Sequence, residues 1–119
     1  MIYIQNNEAD PELRQMVFYL SDPSYGGTPV NTEDGGQPQI NICGRGWVNS
    51  TGKLVFSGDG GKYYLILSQA EVNQKDRAVI EGRYKSSNTA EAVGETVQIC
   101  NINGLVAIPA VKVGTGLLV

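Results

Sequence analysis

The chain has no histidine. The commonest metal ligand and the commonest general base are therefore both missing, and no Ser-His-Asp set can form. Cysteine is nearly absent too, at Cys43 and Cys100 only. A cysteine nucleophile would lack its usual imidazole base. Two thiols on strands allow a disulfide, but the pair reads better as two small buried residues in a reducing compartment. Positive charge is sparse: nine Lys and Arg against twelve Asp and Glu give a formal net charge of −3. No two basic residues are adjacent, which argues against a phosphate-binding surface and against nucleic acid as a partner. No apolar run approaches the ~20 residues of a membrane span, and residues 1–19 contain no secretory n-region or h-region. Asn49-Ser50-Thr51 matches a glycosylation pattern but means little without such a signal. The chain is expected to be made in a cytoplasm.

Helical periodicity is also missing beyond about two turns. Fifteen glycines and five prolines divide the 119 residues into short segments rich in Val, Ile, Thr and Tyr. Length fits one domain, and the class expected is all-β, an antiparallel β-sandwich. The organising stretch is residues 61–84. Tyr63, Leu65 and Leu67 share one face at period two, with Tyr64 and Ile66 on the other, so this strand is expected to be central and covered on both sides. Ser68 and Glu71 have capping-box spacing, predicting one helical turn that carries Ala70 and Val72 over the core. A strand returns with Ala78, Ile80 and Tyr84 on one face. This is a corner between two sheets.

In chain order, Ile2, Tyr3 and Ile4 open an N-terminal arm over residues 1–12. A strand follows with Met16, Phe18 and Leu20 on one face. Residues 21–38 form a long turn-rich connection containing a short strand at 28–31, a length typical of functional or mobile loops. Ile40 and Ile42 point inward before Gly44-Arg45-Gly46, read as a bulge. Leu54 and Phe56 share a face, and the glycine turn at 58–61 makes residues 54–67 a hairpin. After a polar loop over 85–94, Val97 and Ile99 point inward. The sandwich is expected to span residues 13–102. Residues 103–119 then form a hairpin strand or arm, because Asn103-Gly104 is a turn signal and Pro109 suits only an edge strand. Extended, residues 101–119 reach roughly 60 Å, against a domain radius of gyration of about 13–14 Å. Their one charge is Lys112. An apolar end at Leu117, Leu118 and Val119 implies a partner or a neighbouring copy.

Enzymatic chemistry finds little footing. Most carboxylates fall in turns or alternate outward, so a catalytic pair is not expected. Calcium at Glu33, Asp34 and Asp59 lacks EF-hand spacing, and the glycine pairs lack phosphate-loop spacing. The reading is of a protein that is not an enzyme and needs no metal or cofactor. Trp47 reads as a core residue between the sheets, with an exposed sugar-stacking or partner-anchoring ring as its alternative. Tyr3, Tyr19, Tyr25 and Tyr64 are interface candidates, and Tyr63 and Tyr84 are expected in the core.

With these segments in place, the chain resembles the small Ig-like modules of tailed-phage virion proteins, of the type at the N-terminus of upper baseplate proteins. The likeness covers about residues 13–100. The modules' G-x-Y-x-(hydrophobic)-x-(hydrophobic)-T-x-A-E core is matched by Gly61, Tyr63, Leu65, Leu67, Ala70 and Glu71. Ser68 stands where the pattern has Thr, and residues 73–76 replace the glycine that often follows. The resemblance implies an Ig-like form of the sandwich, with a jelly-roll-like form as the variant, and a virion structural role. A small acidic β-domain with extended ends is similar to capsid cement (decoration) proteins, which bind the major capsid protein, usually as dimers or trimers. A homodimer or homotrimer on the capsid surface is thus the expectation, with a tail, neck or baseplate adaptor as the alternative and a carbohydrate-binding module as a third reading. The contacts expected are Ile2, Tyr3 and Ile4 at one end. At the other they are Leu105, Val106 and Ile108, then Val111 and Val113, then Leu117, Leu118 and Val119. The loop over residues 22–34 is a further candidate.

Overall fold

The computed structural model describes residues 1–22, 26–31, 36–58, 60–86 and 89–101. Among them the elements are strands, apart from one 3-10 turn at Pro11–Leu13. Two sheets face each other. The larger is built on β9 (Val79–Tyr84), whose one edge pairs with β5 (Gln39–Ile42) and, beyond it, β6 (Trp47–Asn49). Its other edge is shared by β10 (Ala92–Val93) and β11 (Val97–Cys100), and β11 in turn carries β1 (Ile2–Gln5). The smaller sheet has β8 (Lys62–Ile66) between β2 (Gln15–Tyr19) and β7 (Lys53–Phe56). A two-stranded ribbon of β3 (Ser21–Asp22) and β4 (Thr28–Pro29) lies beside them. All pairings are antiparallel except β1 with β11.

Period-two alternation supplies the core from both sides. Met16 and Phe18 on β2, Tyr63 and Leu65 on β8, and the following Leu67 face Ile40, Ile80, Tyr84, Val97 and Ile99 of the larger sheet. Tyr63 and Tyr84 are buried as expected. Burying each such side chain contributes about 1.5–3 kcal/mol before the entropy of ordering it. The 54–67 hairpin forms with Leu54 opposite Leu65 and Phe56 opposite Tyr63. At one edge the two sheets touch directly, where the Glu95 amide donates to the Val17 carbonyl.

The corner departs from expectation in its shape. Residues 68–73 make hydrogen-bonded turns, with one helical-type bond from the Val72 amide to the Ser68 carbonyl, but no helix. One turn fixes several dihedrals for one bond and does not propagate by itself. Val72 plugs the core, whereas Ala70 is exposed. The capping box forms without its helix. Ser68 N donates to Glu71 Oε1 at 2.8 Å, and Glu71 N donates to Ser68 Oγ at 3.2 Å. The Glu71 carboxylate also reaches the β6–β7 turn, accepting from Ser50 Oγ at 3.2 Å and Thr51 N at 2.9 Å.

The segment expected as an N-terminal arm is part of the body. Ile2 and Ile4 alternate inward, and their strand closes the edge of β11 with Ile2 opposite Val97 and Ile4 opposite Ile99. The polar stretch after it is pinned: the Arg14 guanidinium donates to the carbonyls of Glu8, Ala9 and Leu67 at 3.0, 3.0 and 2.8 Å. Gly44 belongs to a tight turn, not a bulge. Cys43 and Gly44 both have positive φ, and the Arg45 amide closes the turn onto the Ile42 carbonyl; this is the type I′ geometry that suits hairpins.

Candidate docking surfaces

The outer face of the smaller sheet follows from the residues that alternate with the core set. Register puts Val17, Tyr64 and Val55 in one cross-strand row, and Gln15, Ile66 and Lys53 in the next. Tyr19 stands beside Lys62 and is 63% exposed. Lys62 Nζ lies 5.3 Å from the centre of the Tyr64 ring. The Tyr64 hydroxyl, by hydrogen bonding first and by charge second, pushes the Lys62 ammonium above its ordinary range. The strand expected to be covered on both sides is central in its sheet, but Tyr64 and Ile66 are only half-buried. Aliphatic and aromatic side chains thus form a patch turned away from the core.

The outer face of the larger sheet is different in kind. Val93, Arg83, Gln39 and Asn49 are in register across four strands, and Glu81, Asn41 and Trp47 form the adjacent row. Arg83 Nε and Nη2 donate to Gln39 Oε1 at 3.0 and 2.9 Å, and Gln39 Nε2 donates to Asn49 Oδ1 at 3.1 Å. The Arg83 guanidinium carbon lies 4.2 Å from the centre of the Trp47 ring, a cation–π contact. Trp47 is therefore not a core residue. Asn41 pairs with Trp47, and this register turns the indole outward beside Arg83, while Val48, opposite Ile40 on the edge strand, is 55% exposed.

Of the N-terminal contact candidates, Ile4 lies in the core, Ile2 packs against it, and Tyr3 is 66% exposed. Alternation decides this, since the strand has one inner face. The candidates Leu105, Val106, Ile108, Val111, Val113, Leu117, Leu118 and Val119 lie outside the described residues, as do Tyr25 and the suggested calcium ligands Glu33, Asp34 and Asp59. Among the described residues, no three His, Cys, Asp or Glu gather as a metal site. The cysteines are free thiols, and neither is buried: Cys43 is exposed on its turn and Cys100 is half-buried. Both alternate away from the core, which residue type alone did not reveal. Burial first, and the Asp76 carboxylate second, push the Cys100 thiol up.

Sequence reasoning missed the cross-strand ladder and the buried role of Ile4. The ladder's signal was present in the alternation of Gln39 and Asn41 with Ile40 and Ile42. Compared with known proteins, the chain matches no family model, no curated protein and no solved structure.

Proposed function

We propose that this chain is a non-enzymatic structural protein of a phage particle, most specifically a capsid cement protein that binds the major capsid protein as a small homo-oligomer. The observation that carries the reading is the apolar outer face of the three-stranded sheet, with Val17, Tyr64 and Val55 in one row and Tyr19 and Ile66 beside it. A sheet with apolar side chains on both faces suits burial on both. The resemblance of residues 61–71 to phage virion modules supports the same class. A shell repeats its sites, so a symmetric oligomer with several weak contacts gains avidity from linkage. The apolar stretch from Leu105 to Val119 would add a second contact. A tail, neck or baseplate adaptor would use the same surfaces, and labelling copies on intact particles separates shell from tail.

The test is the double variant Tyr19→Ala/Tyr64→Ala. Its melting temperature is expected to stay close to wild type, while shell binding weakens by about 2 kcal/mol or more, roughly thirtyfold. Unchanged binding would remove this face from the proposal.

A second reading, carbohydrate binding, is favoured by the outward indole with its guanidinium and amide neighbours. A flat ring beside paired donors and acceptors is chemistry that sugars use. If it holds, a glycan array shows a saturable hit that Trp47→Ala weakens at least about tenfold, as expected for loss of an anchoring ring. An array without hits, or one indifferent to Trp47, removes this reading.

A further inference from the structure

At one end of the sandwich, the β5–β6 turn meets residues 73–78 and the end of β11 around an open depression. Two independent features converge there. The first is backbone strain. Among the described residues, three that are not glycine have positive φ: Asn7 at 61°, Cys43 at 54° and Arg77 at 69°. Cys43 and Arg77 line the depression, and Asn7 follows Asn6, which also lines it. Such conformations persist only where the surroundings enforce them, and they gather at ligand sites. Here the amides of Asn7, Cys43 and Arg77 are held by the carbonyls of Val72, Val79 and Ile99 at 3.1, 2.9 and 2.7 Å.

The second feature is charge. Arg45, Lys75 and Arg77 line the depression against one carboxylate, Asp76, in a chain of net charge −3. Asp76 accepts from the Asn101 amide at 2.9 Å, and its pairing with Arg77 is loose, at 3.9 Å between exposed groups. Such a pair leaves the guanidinium available. Among the described residues no carboxylate lies within salt-bridge distance of Arg45 or Lys75.

We infer that this depression binds an acidic peptide segment of a partner protein, through the Arg45, Lys75 and Arg77 side chains. A compact phosphate cradle uses converging backbone amides. Most of those at this end are already committed: Gln74 to Asn6 Oδ1, Asn101 to Asp76, Arg45 to Ile42, Arg77 to Ile99, and Ala78 to Lys75. What remains is a spread of side-chain cations and amides over an open floor, which fits several carboxylates along an extended chain. The assembly reading enters only in the partner's identity, because Asn101, which lines the depression, is followed in the sequence by the apolar stretch.

The experiment titrates the full chain with hexaglutamate, with hexalysine and inorganic phosphate as parallel arms, and follows backbone amide resonances. Hexaglutamate is expected to shift residues 43–45 and 73–77 saturably, to weaken several-fold as salt rises from about 50 to about 200 mM, and to be lost in Arg45→Glu/Lys75→Glu with resonances elsewhere unchanged. Shell sedimentation plays no part in this readout, so a chain that ignores capsids yet binds hexaglutamate separates the two claims. Absence of shifts at these residues, shifts that survive the charge reversal, or tighter binding of phosphate than of hexaglutamate would overturn the inference.

Discussion

Replacing Glu71 by alanine is expected to cost about 3 kcal/mol of stability and to lower the melting temperature by about 10 °C. The residue is 9% exposed and joins the β6–β7 turn to the corner, just beyond the last β7–β8 pair, Lys53 with Ile66. Its Oε1 accepts from Ser68 N and Ser50 Oγ, and its Oε2 accepts from Thr51 N. Ser50 Oγ also accepts from Gly52 N at 2.9 Å, so the carboxylate sets the whole β6–β7 turn. Alanine would leave two amides and a hydroxyl without their acceptor, and unsatisfied buried donors cost about 1–3 kcal/mol each, less where water can enter. Glu71→Gln keeps one acceptor oxygen and sets an NH2 against donors, so about half the loss is expected. Chemical denaturation of the three proteins checks the order. If Glu71→Ala unfolds within about 0.5 kcal/mol of wild type, which is the range of ordinary surface substitutions, the carboxylate does not hold the corner.

The second large effect is expected at Gly82, in the middle of β9. A Cβ there would lie 2.3 Å from Met16 Sδ and 3.0 Å from Phe18 Cζ, both on fully buried side chains. Gly94, on the neighbouring segment, meets the same two atoms at 2.6 and 2.7 Å. Glycine normally weakens a strand. Here it opens the floor on which Met16 and Phe18 of the opposite sheet rest, and so sets the separation of the sheets. Gly82→Ala is expected to cost about 1–3 kcal/mol through overpacking, and Gly82→Val more. Met16→Ala by itself should cost about 2–5 kcal/mol through the cavity it leaves. Because each change relieves the other, Met16→Ala/Gly82→Ala should be more stable than the sum of the singles by at least about 0.5 kcal/mol. Strict additivity in a double-mutant cycle would show that the two positions do not share this space.

These two positions show how unevenly the fold was legible. Glu71 was marked by its spacing from Ser68, a local signal, although its reach to Thr51 was not. Gly82 carried no mark, since the side chains that need its empty space are more than sixty residues away. The alternation of Met16 with Phe18, Tyr63 with Leu65 and Ile80 with Tyr84 gave the inner faces correctly, because burial on one side imposes period two. Ile2 and Ile4 were misjudged for the same long-range reason: four residues are too few to show a period, and the pairing strand, β11, lies near the other end of the described chain. Trp47 next to Val48 fits either face until the register with Asn41 decides it. The strained end around Arg77 was illegible, because an arginine at positive φ follows no sequence rule.

As proposed, the outer apolar face and the apolar stretch beyond residue 101 dock this chain on a viral shell. The most direct measurement pellets emptied phage capsids with the purified chain at increasing concentration. Saturable co-sedimentation of many copies per particle is expected, lost when Val55→Lys/Tyr64→Lys covers the face with charge. A chain that remains monomeric and in the supernatant at every concentration, with the double variant indistinguishable from it, would contradict the account.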